Sequence, residues 1–166
     1  MKTLYLMRHA KSDWSEPNKT DFERGLNTRG TKDALKMCSV IQHFKEKPSH
    51  FFCSTAKRAR MTIEPFQTHL TFKLSYTDKL YSFTGSDYIQ FIKEIPHNYE
   101  SVLILGHNPS VEYVVTYLLN AKGGSIRIPT SSLLKIVIET ESWKEIEAGR
   151  GVLHYFLYPK IVGQIV

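Results

Sequence analysis

Three basic side chains close the first apolar run of the chain: Thr3-Leu4-Tyr5-Leu6-Met7 stops at Arg8-His9-Ala10-Lys11. A guanidinium offers a planar fork of donors matched to phosphate or carboxylate. An imidazole supplies a base or nucleophile near neutral pH. Together they point to an anionic guest. Two later positions carry similar groups. Ser54 ends the run His50-Phe51-Phe52-Cys53 and is followed by Arg58 and Arg60, while Gly106-His107-Asn108-Pro109 closes Val102-Leu103-Ile104-Leu105. Each of these groups alone is explained equally well by a solvated strand exit or helix face. Four basic donors gathered at one edge repel each other unless an anion fills the gap, so the question is whether the fold gathers them.

The pattern of elements answers that question. Residues 3–7, 50–53 and 101–105 are short, continuously apolar runs of the kind buried on both faces of a parallel sheet. Between the first two lies a helix capped by Asn27 or Thr28, with Ala34, Leu35, Met37, Cys38, Val40, Ile41 and Phe44 at helical spacing up to Lys47-Pro48. Strand, helix and strand form a crossover unit, which predicts the second strand beside the first and parallel to it. A helix over 55–68 puts Arg58 and Arg60 near its N-terminus, where free N–H groups already favour an anion. A strand near residues 74–76 and a helix capped by Thr84 or Ser86 follow, and Asn108 can cap a helix with Pro109 at its first position. Two alternating segments, 133–139 and 152–158, then read as an antiparallel pair added to the sheet. The expected architecture is α/β, one domain over residues 1–166, with a largely parallel central sheet flanked by helices in three layers. Ligands bind at the strand exits of such a sheet.

Length and composition agree with this. A chain of 166 residues, 42% apolar and 23% charged, suits one soluble domain. No stretch has the length of a secretory core or a membrane span, which predicts a cytoplasmic protein without a membrane partner. Cys38 and Cys53 lack metal-ligand spacing and read as reduced core residues. The net charge of +6 is spread along the chain rather than gathered in one block, so a solvated surface with an anionic small-molecule pocket explains it as well as a nucleic-acid surface does, and the chain carries no nucleic-acid-binding motif. The irregular stretch 10–26 is long for a compact domain, which suggests function, with Trp14 and Phe22 as its packing anchors.

Arg8-His9-Ala10, then Ser54-x-x-x-Arg58-Ala59-x-x-Thr62, then Gly106-His107-Asn108-Pro109 resembles the histidine phosphatase superfamily with its phosphoglycerate-mutase-like fold. Arg24-Gly25-Leu26-Asn27-x-Arg29-Gly30 and Phe156-Leu157-Tyr158-Pro159-Lys160 are similar to the short phosphohistidine phosphatase branch. Ala10 departs from the Gly usual in the superfamily motif. The resemblance implies His9 as a nucleophile that becomes phosphorylated and is then hydrolysed. Arg8, Arg58 and His107 would hold the phosphoryl oxygens, a role that needs neither metal nor cofactor. Lys11, Arg24 and Asn108 are the candidate substrate contacts: Lys11 extends the positive field at the crevice mouth and Arg24 reaches back from the loop. Arg29 reads as a surface residue at a helix start.

The substrate class turns on a proton donor. Superfamily members acting on phosphate esters use a carboxylic acid to protonate the leaving alkoxide. Here Asp78 and Asp87 lie outside the usual acid motif and read as a turn residue and a first-turn helix charge. The imidazole of a phosphohistidine leaves far more readily than an alkoxide, so a phosphorylated protein is the expected partner. A phosphomonoesterase for sugar phosphates or nucleotides, with Asp78 or Asp87 as acid, is the rival on the same fold. A non-catalytic module that binds phosphorylated ligands is a further one.

Overall fold

The computed structural model describes residues 1–165. Its centre is β1 (Lys2–Arg8), which pairs parallel with β4 (Ser101–Gly106) on one side and antiparallel with β5 (Leu133–Ile138) on the other. With β2 (His50–Ser54), β3 (Lys73–Thr77) and β6 (Gly151–Leu157), the six-stranded sheet has the order β3-β2-β4-β1-β5-β6. The first four strands in the chain are parallel, and β5 and β6 are the antiparallel addition.

β2 is parallel to β1 but does not lie beside it, because β4 is inserted between them. The reason is visible in the burial of β4, where Val102, Leu103, Ile104 and Leu105 are all fully buried and thus need a strand on each edge as well as a layer on each face. Residues alternate between the faces. Leu4, Leu6, Val102 and Ile104 face one core, shared with α3 (Gly85–Lys93) and α4 (Ser110–Leu119). Tyr5, Met7, Leu103 and Leu105 face the other, shared with α1 (Thr28–Gln42), α2 (Lys57–His69) and α5 (Pro159–Ile165).

Asn27 caps α1, its Oδ1 accepting the Gly30 N–H at 2.8 Å. The helix ends at Gln42 rather than running to Lys47-Pro48. His43 and Phe44 close it through N–H bonds to the Val40 and Ile41 carbonyls, a tighter turn than the α-helical one. Gly30 lets α1 pack against the start of the loop, since a Cβ there would stand 2.2 Å from the Lys11 carbonyl oxygen. Cys38 and Cys53 are buried free thiols, and burial opposes the ionisation of both, pushing the pKa of Cys38 up to about 11. Among the described residues no helix is long and apolar enough to cross a membrane.

Candidate active site

The sheet order brings the exits of β2, β4 and β1 side by side, and with them Ser54, His107, Arg8 and His9. Backbone bonds fix each exit. The His9 N–H donates to the Gly106 carbonyl at 3.0 Å, and the Arg8 N–H donates to the Ser132 carbonyl at 3.1 Å. Ser131 turns in a left-handed conformation and points its N–H at the carbonyls of both Arg8 and His9. Gly106 is required because Tyr88 lies across it: a Cβ there would meet the Tyr88 hydroxyl at 2.1 Å. That hydroxyl donates to the Leu80 carbonyl and accepts the His107 N–H at 3.1 Å, so the β4 exit is tied to α3.

The side chains converge. The Nδ1 of His9 lies 2.7 Å from the Ala10 carbonyl, an acceptor only, so Nδ1 carries the proton and Nε2 carries the lone pair. The single Nε–H of Arg58 faces both His9 Nε2 at 3.3 Å and His107 Nδ1 at 3.2 Å. With Nδ1 of His107 accepting, its Nε2–H donates to the Ser54 hydroxyl at 2.7 Å. The two imidazole centroids stand 4.9 Å apart. Arg8 donates from one terminal nitrogen to the Ile128 carbonyl at 2.7 Å, while its buried Nε has no hydrogen-bond partner among the described residues.

Burial and the two guanidiniums keep both rings neutral. Burial leads in pushing His9 down to about 3, with Arg58 and Arg8 adding to it against the Ala10 hydrogen bond. His107 falls to about 2 for the same chief reason, helped by His9, Arg58 and Arg8. A neutral imidazole whose unprotonated Nε2 accepts only the long Arg58 N–H contact at 3.3 Å can turn that lone pair on an electrophilic phosphorus, while the fixed positive charge around it stabilises the charge that develops on the phosphoryl oxygens.

Asp21 is the residue that sequence reasoning missed. Arg58 donates to the Asp21 carbonyl at 2.5 Å and to its carboxylate at 3.0 Å, and the Tyr81 hydroxyl donates to the same carboxylate at 2.8 Å. Burial opposes ionisation of Asp21, but Tyr81 and the Arg58 charge outweigh it and hold the carboxyl below its ordinary range. The loop carrying Asp21 is closed at its base, where Ser12 pairs with Leu26 and the Asn27 N–H meets the Lys11 carbonyl. Its tip is pinned to α2 by the Lys57 N–H on the Phe22 carbonyl at 3.1 Å. Ala10 is fully buried and donates its N–H to Thr62 Oγ1 at 3.0 Å, while Thr62 Oγ1 donates to the Arg58 carbonyl. Among the described residues only Asn120 and Ser131 are non-glycine residues with left-handed backbone, so Ala replaces the motif's Gly without strain.

The candidate substrate contacts fare differently. Lys11 is exposed, and among the described residues its ammonium makes no hydrogen bond or ion pair. Arg24 does not reach back to the imidazoles: its guanidinium lies 3.9 Å over the Trp14 ring, and its charge acts on Asp21. Trp14 is accordingly not a packing anchor but 65% exposed, and Phe22 at 39% packs edge-on against Tyr81. Asn108 does not cap α4, whose N-cap is Pro109, after a cis Asn108–Pro109 bond. Its amide instead donates to Glu112 at 2.7 Å and to the Ile128 carbonyl that also receives Arg8. Arg29 pairs with Asp33 at the helix surface, as expected. Asp78 accepts from Thr55 and Asp87 from Ser82, each in the first turn of its helical segment.

Comparison with known proteins agrees with this arrangement. The model of the histidine phosphatase superfamily, branch 1, matches residues 4–88. An uncharacterized protein of Mycobacterium tuberculosis is 26% identical over 162 residues, covering 93% of this chain and all of the relative. An uncharacterized chloroplastic protein of Arabidopsis thaliana is 25% identical, covering 90% of this chain and 72% of that one. Among solved structures, a candidate phosphohistidine phosphatase, SixA, from Agrobacterium tumefaciens superposes with a TM-score of 0.80 at 28% identity over 95% of this chain and 98% of that one. A SixA protein histidine phosphatase complexed with tungstate shares the fold at a TM-score of 0.80 and 19% identity, covering 96% and 99%. With these motifs on neighbouring strand exits and this match, the chain is a histidine-nucleophile phosphatase and belongs to the histidine phosphatase superfamily, in its SixA-like branch.

Proposed function

We propose that this enzyme removes phosphate from phosphohistidine in proteins, with His9 as the nucleophile. His9 Nε2 attacks phosphorus in line, the P–N bond to the substrate imidazole breaks, and His9 carries the phosphoryl group. Water then attacks phosphorus, the bond to Nε2 breaks, and inorganic phosphate leaves with His9 restored. Arg8 and Arg58 hold the equatorial oxygens as their charge redistributes, and His107 lines the same pocket 4.9 Å from His9.

The observation that carries the substrate class is the state of the carboxylates. Asp21, the carboxylate that among the described residues is hydrogen-bonded to the catalytic cluster, is paired with Arg58 and held ionised, so it is a poor proton donor. Asp78 and Asp87 accept hydrogen bonds from Thr55 and Ser82 at exposed positions. A phosphorylated imidazole takes a proton from solvent on its other ring nitrogen and departs neutral, so it needs no acid from the enzyme. An alkyl ester has no such route. The likeness to the Agrobacterium protein supports the same class.

The test is rapid quench with radiolabelled phosphohistidine peptide. An acid-labile phosphoenzyme forms in the wild type, and the His9→Ala protein, with an unchanged far-UV spectrum, forms none and loses several orders of magnitude in turnover. Near wild-type turnover by the folded variant would end the covalent reading.

A further inference from the structure

We infer that Asp21 is a positioning residue for Arg58 whose charge also works against the phosphoryl group, weakening the hold of the site on its phosphate product. This rests on the phosphatase reading and adds a residue to it. Arg58 is only 4% exposed, and among the described residues Asp21 is its one ion-pair partner. A guanidinium has five N–H donors in a rigid fork. Asp21 takes one from each terminal nitrogen, through its carbonyl and its carboxylate, and the Nε–H is left facing the two imidazoles. The pair therefore fixes which edge of the fork meets a phosphoryl group placed over His9 Nε2.

The same geometry makes two anions share one cation. The carboxylate lies across the guanidinium from the imidazoles, and like charges at this range in a partly dry site repel appreciably. Tyr81 moderates this by donating to the carboxylate. Withdrawal of Asp21 would break its bonds to Arg58 and Tyr81 and strain the Lys57–Phe22 tie of its loop, so the opposing charge stays in place when phosphate arrives. A phosphatase that forms a tightly held product gains turnover from such a charge.

Direct calorimetric titration of inorganic phosphate into the intact chain at neutral pH reads this without reference to turnover. Asp21→Asn keeps the backbone carbonyl and a neutral side-chain acceptor for Arg58 while removing the charge, and its phosphate dissociation constant should fall roughly fivefold or more. Tyr81→Phe leaves the carboxylate with one donor fewer, so phosphate should bind about twofold or more weaker. Opposite signs from two neighbours in one network are not what a merely structural role produces. Unchanged or weaker phosphate binding by folded Asp21→Asn would overturn the inference. Should that variant not fold, unchanged or tighter binding by Tyr81→Phe would do the same. Retained turnover by His9→Ala would instead remove the phosphatase reading, a result independent of these affinities.

Discussion

The Nε–H of Arg58 lies 3.3 Å from the Nε2 of His9, so the ring nitrogen that the Ala10 carbonyl leaves free faces a fixed positive charge. This relationship orders the rest of the site. Burial, aided by a cation at that distance, holds the imidazole neutral, and its lone-pair nitrogen lies at the positive group that the proposed mechanism uses to draw in an anionic phosphoryl group. Arg58 reaches His107 with the same hydrogen, so one N–H links the guanidinium to both rings.

Arg58→Ala should lower kcat on phosphohistidine peptide by about a hundredfold or more, since one donor to the developing charge is lost. Arg58→Lys should recover little of it, because an ammonium lacks the planar fork that meets Asp21 on one side and two imidazoles on the other. Steady-state kinetics check this. A raised KM with unchanged kcat would make Arg58 a ground-state contact only.

Gly106→Ala should damage fold and activity together. The added methyl would overlap the Tyr88 hydroxyl, which joins the Leu80 carbonyl to the His107 N–H in a buried place with no room to yield. Losing that geometry should cost about 2 kcal/mol or more of stability. Urea unfolding measures it, and a stability within error of wild type would show that Tyr88 shifts freely.

Much of this was legible in the residues, for identifiable reasons. β1 and β4 stand out because both faces are buried, and Arg8, His9 and His107 stand out because they fall together at the ends of such runs, which a parallel sheet gathers at one edge. The insertion of β4 between β1 and β2 was not legible, since an apolar run shows that a strand is covered but not which strand covers it. Asp21 was hidden among Asp13, Glu16 and Glu23 in a loop without periodicity, and only the closing of Ser12 on Leu26 and the Phe22–Lys57 bond carry it to Arg58. Trp14 is large and apolar, which predicts burial, whereas its ring is exposed and serves as a platform for Arg24.

Stability should fall as pH drops from 7 to 5. His9 and His107 are depressed from 6.5 to about 3 and about 2, so through this window the unfolded chain takes up protons that the folded one does not. The folded state therefore loses ground as acid is added, and stability is fully present only above about 6.5. His107→Asn should flatten the slope. Denaturant midpoints at pH 7 and pH 5 check the sign, and a midpoint that rises on acidification would show that the rings are charged in the fold.

The leaving group should govern the rate. If no carboxylic acid is poised to donate, the enzyme can help departure only through the charge it offers to phosphorus and its oxygens, and the leaving atom must carry off its electrons unaided or with a proton from solvent. Phosphohistidine and activated aryl phosphates should then be cleaved far faster than alkyl phosphates, with a steep dependence of kcat/KM on leaving-group acidity. Asp78→Asn and Asp87→Asn should change phosphohistidine turnover by less than about twofold, because among the described residues the two carboxylates accept hydrogen bonds from Thr55 and Ser82 and none from the catalytic cluster. The measurement is one leaving-group series run on the wild type and both variants near neutral pH. A flat series in the wild type, with collapse in either variant, would reveal a working general acid, and the enzyme would then be read as a phosphomonoesterase for small phosphate esters.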